Sequence, residues 1–415
     1  MKIYYGWWIV AIALVLQMLT VGATMNTFGM YVVEASKDLG LSRANANTGI
    51  ILISAGMALF SPIVGRMLDV YPVRRIMVAG ALLFCASFAI LGLSHNVWLS
   101  AFALAVPLPL GIACVGHLAA TTVLARWFVA QRGRAMALAM VGMSLGTVVM
   151  APTIGLLIKS LGWRTCLMVL GAVFAVIFLV LVPLMRDRPA PDEIEPVPAR
   201  AAGQPPVATP PLSDAKPLKI GAILAMPIFW VLSLSVALAL SVLQTVAISI
   251  VPLAQESGIS VEASSTLLMV LGAMSLLGKL VLAWIGDRID RVLTLVAIFL
   301  FQCFACALLL VGHSFPVLLF CAALQGLCAA AITPVFGALL ADRVGAASFG
   351  TAQGAAALAM ALCSAVMVRV GGEIYDRTGS YQVMFTAFAV VSLFAALLVL
   401  SSKWLPGPRQ ATAAA

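Results

Sequence analysis

The stretch SLLGKLVLAWIGDR, residues 275 to 288, holds one group that could do chemistry inside an otherwise apolar run. Lys279 stands among Leu276, Leu277, Leu280, Val281 and Leu282. At about 1.5 Å rise per residue it lies roughly 12 Å along a helix from Asp287, where the polar loop begins. An ammonium at such a depth is costly unless it faces a polar cavity or meets an anion. Two readings stand open: contact with an anionic substrate, or snorkelling to the interface. The side chain reaches only about 6 Å, short of that depth, which favours substrate contact. His117, within GIACVGHLAATT (111–122), could hydrogen-bond a substrate or take its proton, since imidazole titrates near physiological pH. It could equally pack between helices on a carbonyl. Arg369 is a second cation in an apolar segment, suited with Lys279 to a dianion, or else paired with Glu373 one turn on. Gln17, Asn26, Gln244 and Gln325 could line a cavity or bond helix to helix.

Elements of a particular kind must position these groups. The 415 residues are 63% hydrophobic and 9% charged, against about half and a quarter in soluble domains. So much apolar surface calls for a bilayer. A spanning helix needs about 20 mainly apolar residues, and twelve such segments occur, near 6–33, 45–67, 74–94, 98–127, 134–158, 163–185, 227–253, 262–285, 290–311, 315–341, 346–372 and 380–403. The first is too long for a signal-peptide core and is read as a helix. With both termini cytoplasmic, the loops of the outer side carry only Lys37, Arg43, Lys159, Arg164 and Arg377 of the 24 basic residues. Lys279 and Arg369 lie within helices, and the rest fall inside, which fixes that orientation.

Residues 186–219 are proline-rich and read as a cytoplasmic linker, flexible or partly extended. It separates an N-terminal six-helix bundle, 1–185, from a C-terminal one, 220–415. The halves echo each other. GRMLDVYPVRR (65–75) follows the second segment and AWIGDRIDR (283–291) the eighth; Gly162 closes the fifth and Gly379 the eleventh. A duplicated unit of this kind sets a substrate site between its halves, near the bilayer midplane.

Other functions are disfavoured. The net charge of +9 is scattered in small groups with no basic face for nucleic acid. The eight cysteines lie in apolar segments, and the Cys303–Cys306 pair has no second cysteine pair or histidine nearby, which reads as core packing without metal. No Walker-A loop, HExxH, GxSxG or paired-carboxylate constellation occurs, so neither ATP-driven transport nor an enzyme is expected, and no cofactor. Gly142 and Gly146 form GxxxG in the fifth segment, a pattern for close helix approach. Pro152 follows, where that helix is expected to bend.

GRMLDVYPVRR resembles the loop signature of the major facilitator superfamily: Gly65, Asp69, then the basic pair Arg74 and Arg75. The resemblance implies a twelve-helix all-α membrane fold in two pseudo-symmetric bundles. It also implies a conformational latch in which Asp69 sits at a neighbouring helix N-terminus while the arginines tie helix ends together. Asp287 and Arg288 are the repeat's counterparts. Val70, Tyr71 and Pro72 replace the family's Arg-x-Gly. Within the superfamily the chain is similar to the monocarboxylate porters and oxalate:formate antiporters, through YYGWWIV (4–10), GLSRANAN (40–47), ARWFVAQRGRAMALAMVGMSLG (125–146), VPLAQESGIS (251–260) and LLGKL (276–280). The likeness implies that Lys279 replaces an arginine that pairs with the substrate carboxylate. It keeps the charge but not the planar fork. Some oxalate-transporting relatives also carry a cation in the eleventh segment, where Arg369 lies. The acid often found one turn before the helix-8 cation is Ser275 here.

The expected function is therefore secondary active transport of small organic monocarboxylates by alternating access, coupled to protons or to a counter-anion. The expected setting is the plasma (cell inner) membrane, with one chain sufficient. The alternative on the same fold is an efflux carrier for amphipathic compounds, in keeping with 19 methionines.

Overall fold

The structure is a computed structural model describing residues 4–25, 27–38, 43–190, 193, 195, 217–259, 261–285, 289–312, 314–378 and 380–405. Among the described residues every regular element is helical. Water is absent from a bilayer interior, so each backbone N–H and C=O needs a partner within its own segment, and a helix supplies it. Twelve helical stretches are long and apolar enough to cross a membrane.

Two compact units form, one from Met1–Leu218 with Ala346–Ala355, the other from Lys219–Gly345 with Ala356–Ala415. The first contains α1 (Tyr5–Gly22), α2 (Phe28–Asp38), α3 (Arg43–Val70), α4 (Val73–Leu93), α5 (Val97–Ala105), α6 (Pro107–Val115), α7 (His117–Trp127), α8 (Arg132–Leu161) and α9 (Trp163–Leu181). The second contains α10 (Ile220–Leu224), α11 (Pro227–Glu256), α12 (Val261–Ile285), α13 (Arg291–Val311), α14 (Phe315–Val344) and α16 (Tyr381–Ser401). Helix α15 (Phe349–Thr378) starts in the first unit and continues into the second.

Two segments expected as single helices are broken. The first stops at Gly22 and restarts at Phe28. The threonines there turn hydroxyls onto the backbone: Thr24 donates to the Thr20 carbonyl at 2.5 Å and Thr27 to that of Gly22 at 3.0 Å, satisfying groups that the helix abandons. The fourth divides into α5, α6 and α7. Pro107 brings no N–H and begins α6, while Gly116 leaves the helical region with a ψ of −135° before His117. Pro152 breaks nothing; α8 runs through it from Arg132 to Leu161.

In the first unit α8 lies directly against α1. A Cβ on Gly146 would fall 2.6 Å from the Met18 carbonyl oxygen and 2.8 Å from Gly22 Cα, and one on Gly142 would overlap the Leu14 carbonyl. These partners are backbone and cannot rotate away. Gly146→Val is therefore expected to force the helices apart and cost about 1–3 kcal/mol, read as a lower melting temperature of the purified protein. Gly29→Ala on α2, where a Cβ meets nothing within 4 Å, is the control and should melt unchanged. Phe84 and Phe88 of α4 pack with Phe174 and Phe178 of α9 at centroid distances of 5.6 to 6.0 Å. The second unit is built around Val242, Val246, Leu267, Leu309, Phe385 and Phe388.

The start of the linker is bound to the first unit. Asp187 accepts from the N–H groups of Val73 and Arg74 at 3.1 and 3.3 Å, capping α4. Glu195 accepts from Val129, Ala130 and Gln131 at 2.7, 3.1 and 2.7 Å, just before α8. Helix N-termini offer unpaired N–H groups and favour negative charge, so the acids of a proline-rich segment find their partners there.

Candidate functional site

In the second unit the site is built on the seam between α12 and α14. Gly278 makes the seam possible: a Cβ there would approach the Ala330 methyl to 2.7 Å. With Gly278 turned into α14, the next residue lies about 100° further round the helix. Lys279 thus stands beside the seam, half-buried, and does not enter it. Its own face is continued by Ser275 and Gly272, four and seven positions earlier. A Cβ on Gly272 would meet nothing within 4 Å, so the face is open at that position.

Gln325 lies on α14 about a turn and a half from Ala330. Its neighbour Gly326 is pressed against the backbone of Leu271 in α12. The Gln325 side chain is 1% exposed, and among the described residues neither its Oε1 nor its Nε2 has a hydrogen-bond partner. Burying such an amide unmet costs about 1–3 kcal/mol per group, which a polar ligand or water would relieve. The structure therefore brings Lys279 and Gln325 onto one helix pair. Gln244 and Ser364 join α11 to α15, the serine hydroxyl donating to Gln244 Oε1. Arg369 is different: its side chain is 82% exposed and pairs with Glu373 at 3.4 Å, and Glu373 also accepts from Arg377 at 2.8 Å.

In the first unit Gln17 is fully buried on α1, donating Nε2–H to the Ala139 carbonyl of α8 at 3.2 Å while Oε1 is left unmet. One turn on, Thr20 stands beside Gly116, the break before α7. His117 opens α7 there, with its Nδ1 buried and unpartnered. Gln17 thus does bind helix to helix, and the same side chain keeps a spare acceptor. Asn26, Asp287 and Arg288 lie outside the described residues.

Asp69, near the end of α3, has a fully buried side chain. Oδ1 accepts from the Gly350 N–H at 3.0 Å, and Oδ2 from both the N–H and the hydroxyl of Thr351 at 2.6 Å. These are the first turns of α15, within the first unit. The approach requires glycine: a Cβ on Gly350 would lie 2.6 Å from the Gly65 carbonyl, and one on Gly65 would strike the Gly350 backbone. The cation on Asp69 is Arg126, 6% exposed and 3.4 Å away, which also donates to the Leu68 carbonyl at 2.7 Å. Arg74 and Arg75 are exposed on the first turn of α4, and no ion pair of either is found among the described residues. Reading along the sequence missed Arg126 and Thr351 as members of this cluster. Arg126 had a signal, as the arginine of ARWF; Thr351 had none.

Comparison with known proteins adds to this geometry. The model of the Major Facilitator Superfamily matches residues 5–275 and 236–415. The chain is 24% identical over 350 residues to the transporter ESBP6 of Saccharomyces cerevisiae, an alignment covering 82% of this chain and 50% of that one. It is 25% identical over 301 residues to monocarboxylate transporter 12 of Mus musculus, covering 68% of this chain and 61% of the mouse protein. The chain thus spans half to three-fifths of the length of these relatives. Its fold is similar to the crystal structures of the human organic anion transporter MFSD10 (TM-score 0.69, 19% identity, 94% of this chain and 98% of that one) and of the E. coli fucose:proton symporter FucP (0.70, 16%, 97% and 99%).

Proposed function

The chain belongs to the major facilitator superfamily, and we propose that it carries small organic monocarboxylate anions by alternating access, with Lys279 as their counter-charge. As a transporter of this family it is a multi-pass membrane protein that moves a small molecule. The observation that supports the carboxylate reading is Lys279, a half-buried lysine turned off the α12–α14 seam, with the buried amide of Gln325, unmet among the described residues, on the neighbouring α14. A carboxylate offers two oxygens: one suits the ammonium, the other an amide donor. The likeness to a mammalian monocarboxylate transporter lends further support.

In the first unit His117 and Gln17 supply the remaining polar groups of the proposal, the imidazole as hydrogen-bond partner or proton acceptor. Arg369, engaged with Glu373, is the candidate for a second charge on the substrate. Asp69 and Gly65 are the proposed conformational latch, because the turns they grip belong to a helix that continues into the second unit. Coupling runs through a proton or an exchanged anion, in one chain of the cell membrane with both termini cytoplasmic, the side to which the basic loops assign them.

Uptake into proteoliposomes tests this. The probes are labelled short aliphatic and aromatic monocarboxylates and the matching uncharged amides, with and without an inward proton gradient or internal unlabelled acid. Saturable uptake of an acid but not of its amide is expected. Accumulation on the proton gradient marks symport; movement only against internal anion marks exchange. If the acids stay out while uncharged or cationic amphiphiles are moved, the carrier is an efflux protein and the carboxylate reading fails.

A further inference from the structure

A second cavity lies wholly within the first unit. It has a volume of about 540 Å³ and is walled by α2, α3, α4, α5, α6 and α9. That is the size of a pocket for a drug-sized molecule. Among the described residues it includes none of the polar groups of the proposed transport site. Its walls are apolar and aromatic, with Phe28, Phe88, Leu104 and Trp163 among them, and no charged side chain lines it among the described residues.

Four hydroxyls interrupt that lining, those of Thr24, Thr48, Tyr31 and Ser100, and the first two are already engaged, Thr24 on the Thr20 carbonyl. Tyr31 on α2 and Ser100 on α5 are each 8% exposed; among the described residues the Ser100 hydroxyl has no hydrogen-bond partner, and that of Tyr31 has only the Thr27 hydroxyl beside it. Serine in a helix ordinarily turns its hydroxyl back to the carbonyl four residues earlier, and other serines in the first unit do so: Ser87 donates to the Leu83 carbonyl at 2.7 Å and Ser61 to that of Met57 at 2.5 Å. Ser100 makes no such bond. A buried Ser100 hydroxyl without a partner and a Tyr31 hydroxyl with only Thr27 beside it, both on the wall of one cavity, are a demand that a ligand head can fill. Trp98, also on the wall, is 82% exposed, so the cavity has a side reached from outside the unit.

We propose that this cavity is a binding site for an uncharged small amphiphile, an apolar body ending in a single hydroxyl or carbonyl held by Tyr31 and Ser100. The lining fixes the class. A carboxylate or ammonium head would lose its water and find no counter-charge. A plain hydrocarbon would fill the volume but leave the Ser100 hydroxyl unmet.

The test is photolabelling of the full chain in lipid nanodiscs with a diazirine-bearing farnesol, mapped by peptide mass spectrometry. Label is expected on α2, α3 and α5, and excess farnesol should displace it. Farnesene, the same skeleton without the hydroxyl, and farnesoate, its charged acid, should displace it at least about tenfold less well. Tyr31→Phe combined with Ser100→Ala removes only the two oxygens and should weaken farnesol by a similar factor. Ser100→Leu fills the space and should abolish label in the cavity. Label that farnesol does not displace is partition into lipid and overturns the proposal. Equal displacement by farnesene, or unchanged affinity in the double variant, means apolar filling alone and also overturns it. So does a phospholipid retained in the cavity that farnesol cannot exchange.

Discussion

Lys279→Gln is expected to abolish carboxylate uptake while leaving the protein as stable as before, or more so. The two halves of that expectation have one cause. A lysine in a membrane helix is an expensive group for folding, so its removal relieves that cost, while the close approach at Gly278 keeps α12 on α14. The substrate carboxylate, in contrast, loses its counter-charge. Removing one partner of a desolvated charge pair costs about 2–5 kcal/mol. At 1.4 kcal/mol per tenfold, uptake below saturation should fall at least about 30-fold. Lys279→Arg keeps the charge and adds a planar fork that grips a carboxylate through two bonds, so it should retain transport. Uptake by Lys279→Gln at the wild-type rate would mean that the lysine only reaches for the interface, and Gln325 would then need another explanation. A melting temperature lowered along with uptake would make Lys279 a structural group.

Asp69→Ala should show the opposite pattern, with a large loss of stability. Its carboxylate takes three hydrogen bonds from Gly350 and Thr351 and lies by the buried guanidinium of Arg126. Removing it strips the cap from α15 and leaves Arg126 without its counter-ion. Breaking a buried pair from one side costs about 3–5 kcal/mol, a marked drop in melting temperature for the purified protein. Asp69→Asn keeps an acceptor oxygen but not the charge, and should fall between. Arg126→Met separates the contributions. If α15 is held chiefly by the cap, this variant should lose less than Asp69→Ala, because the three bonds from α15 persist. A larger loss would assign the carboxylate to the arginine instead. For the latch, turnover in Asp69→Asn should change more than the substrate concentration at half-maximal rate, since Asp69 has no part in the proposed substrate site.

Membership of the fold class was legible because the bilayer leaves few choices. Long apolar runs with sparse charge can only be spanning helices, and the twelve stretches follow from that. The breaks were less legible. Hydropathy averages over a turn kept open by Thr24 and Thr27, and it does not register that Gly116 leaves the helical backbone beside Thr20.

What the sequence determined by itself is local: composition and run length gave the helices, Lys279 stood out as a charge of high cost, and glycine spacing marked Gly142 and Gly146 as a face of close approach. What only the tertiary structure decided is which polar groups lack partners, and who meets whom over long separations in the chain. Gln17 and Gln325 look alike in sequence, yet one bonds the Ala139 carbonyl and the other bonds nothing among the described residues. Asp69 needed a cation, and the basic pair a few residues on was the obvious choice. Folding gave it Arg126 instead, because α7 packs against α3 while Arg74 and Arg75 face outward. Tyr31 and Ser100 carry no mark in the sequence at all. A hydroxyl becomes informative only when its neighbours leave it buried and unanswered, and that is a property of packing in three dimensions.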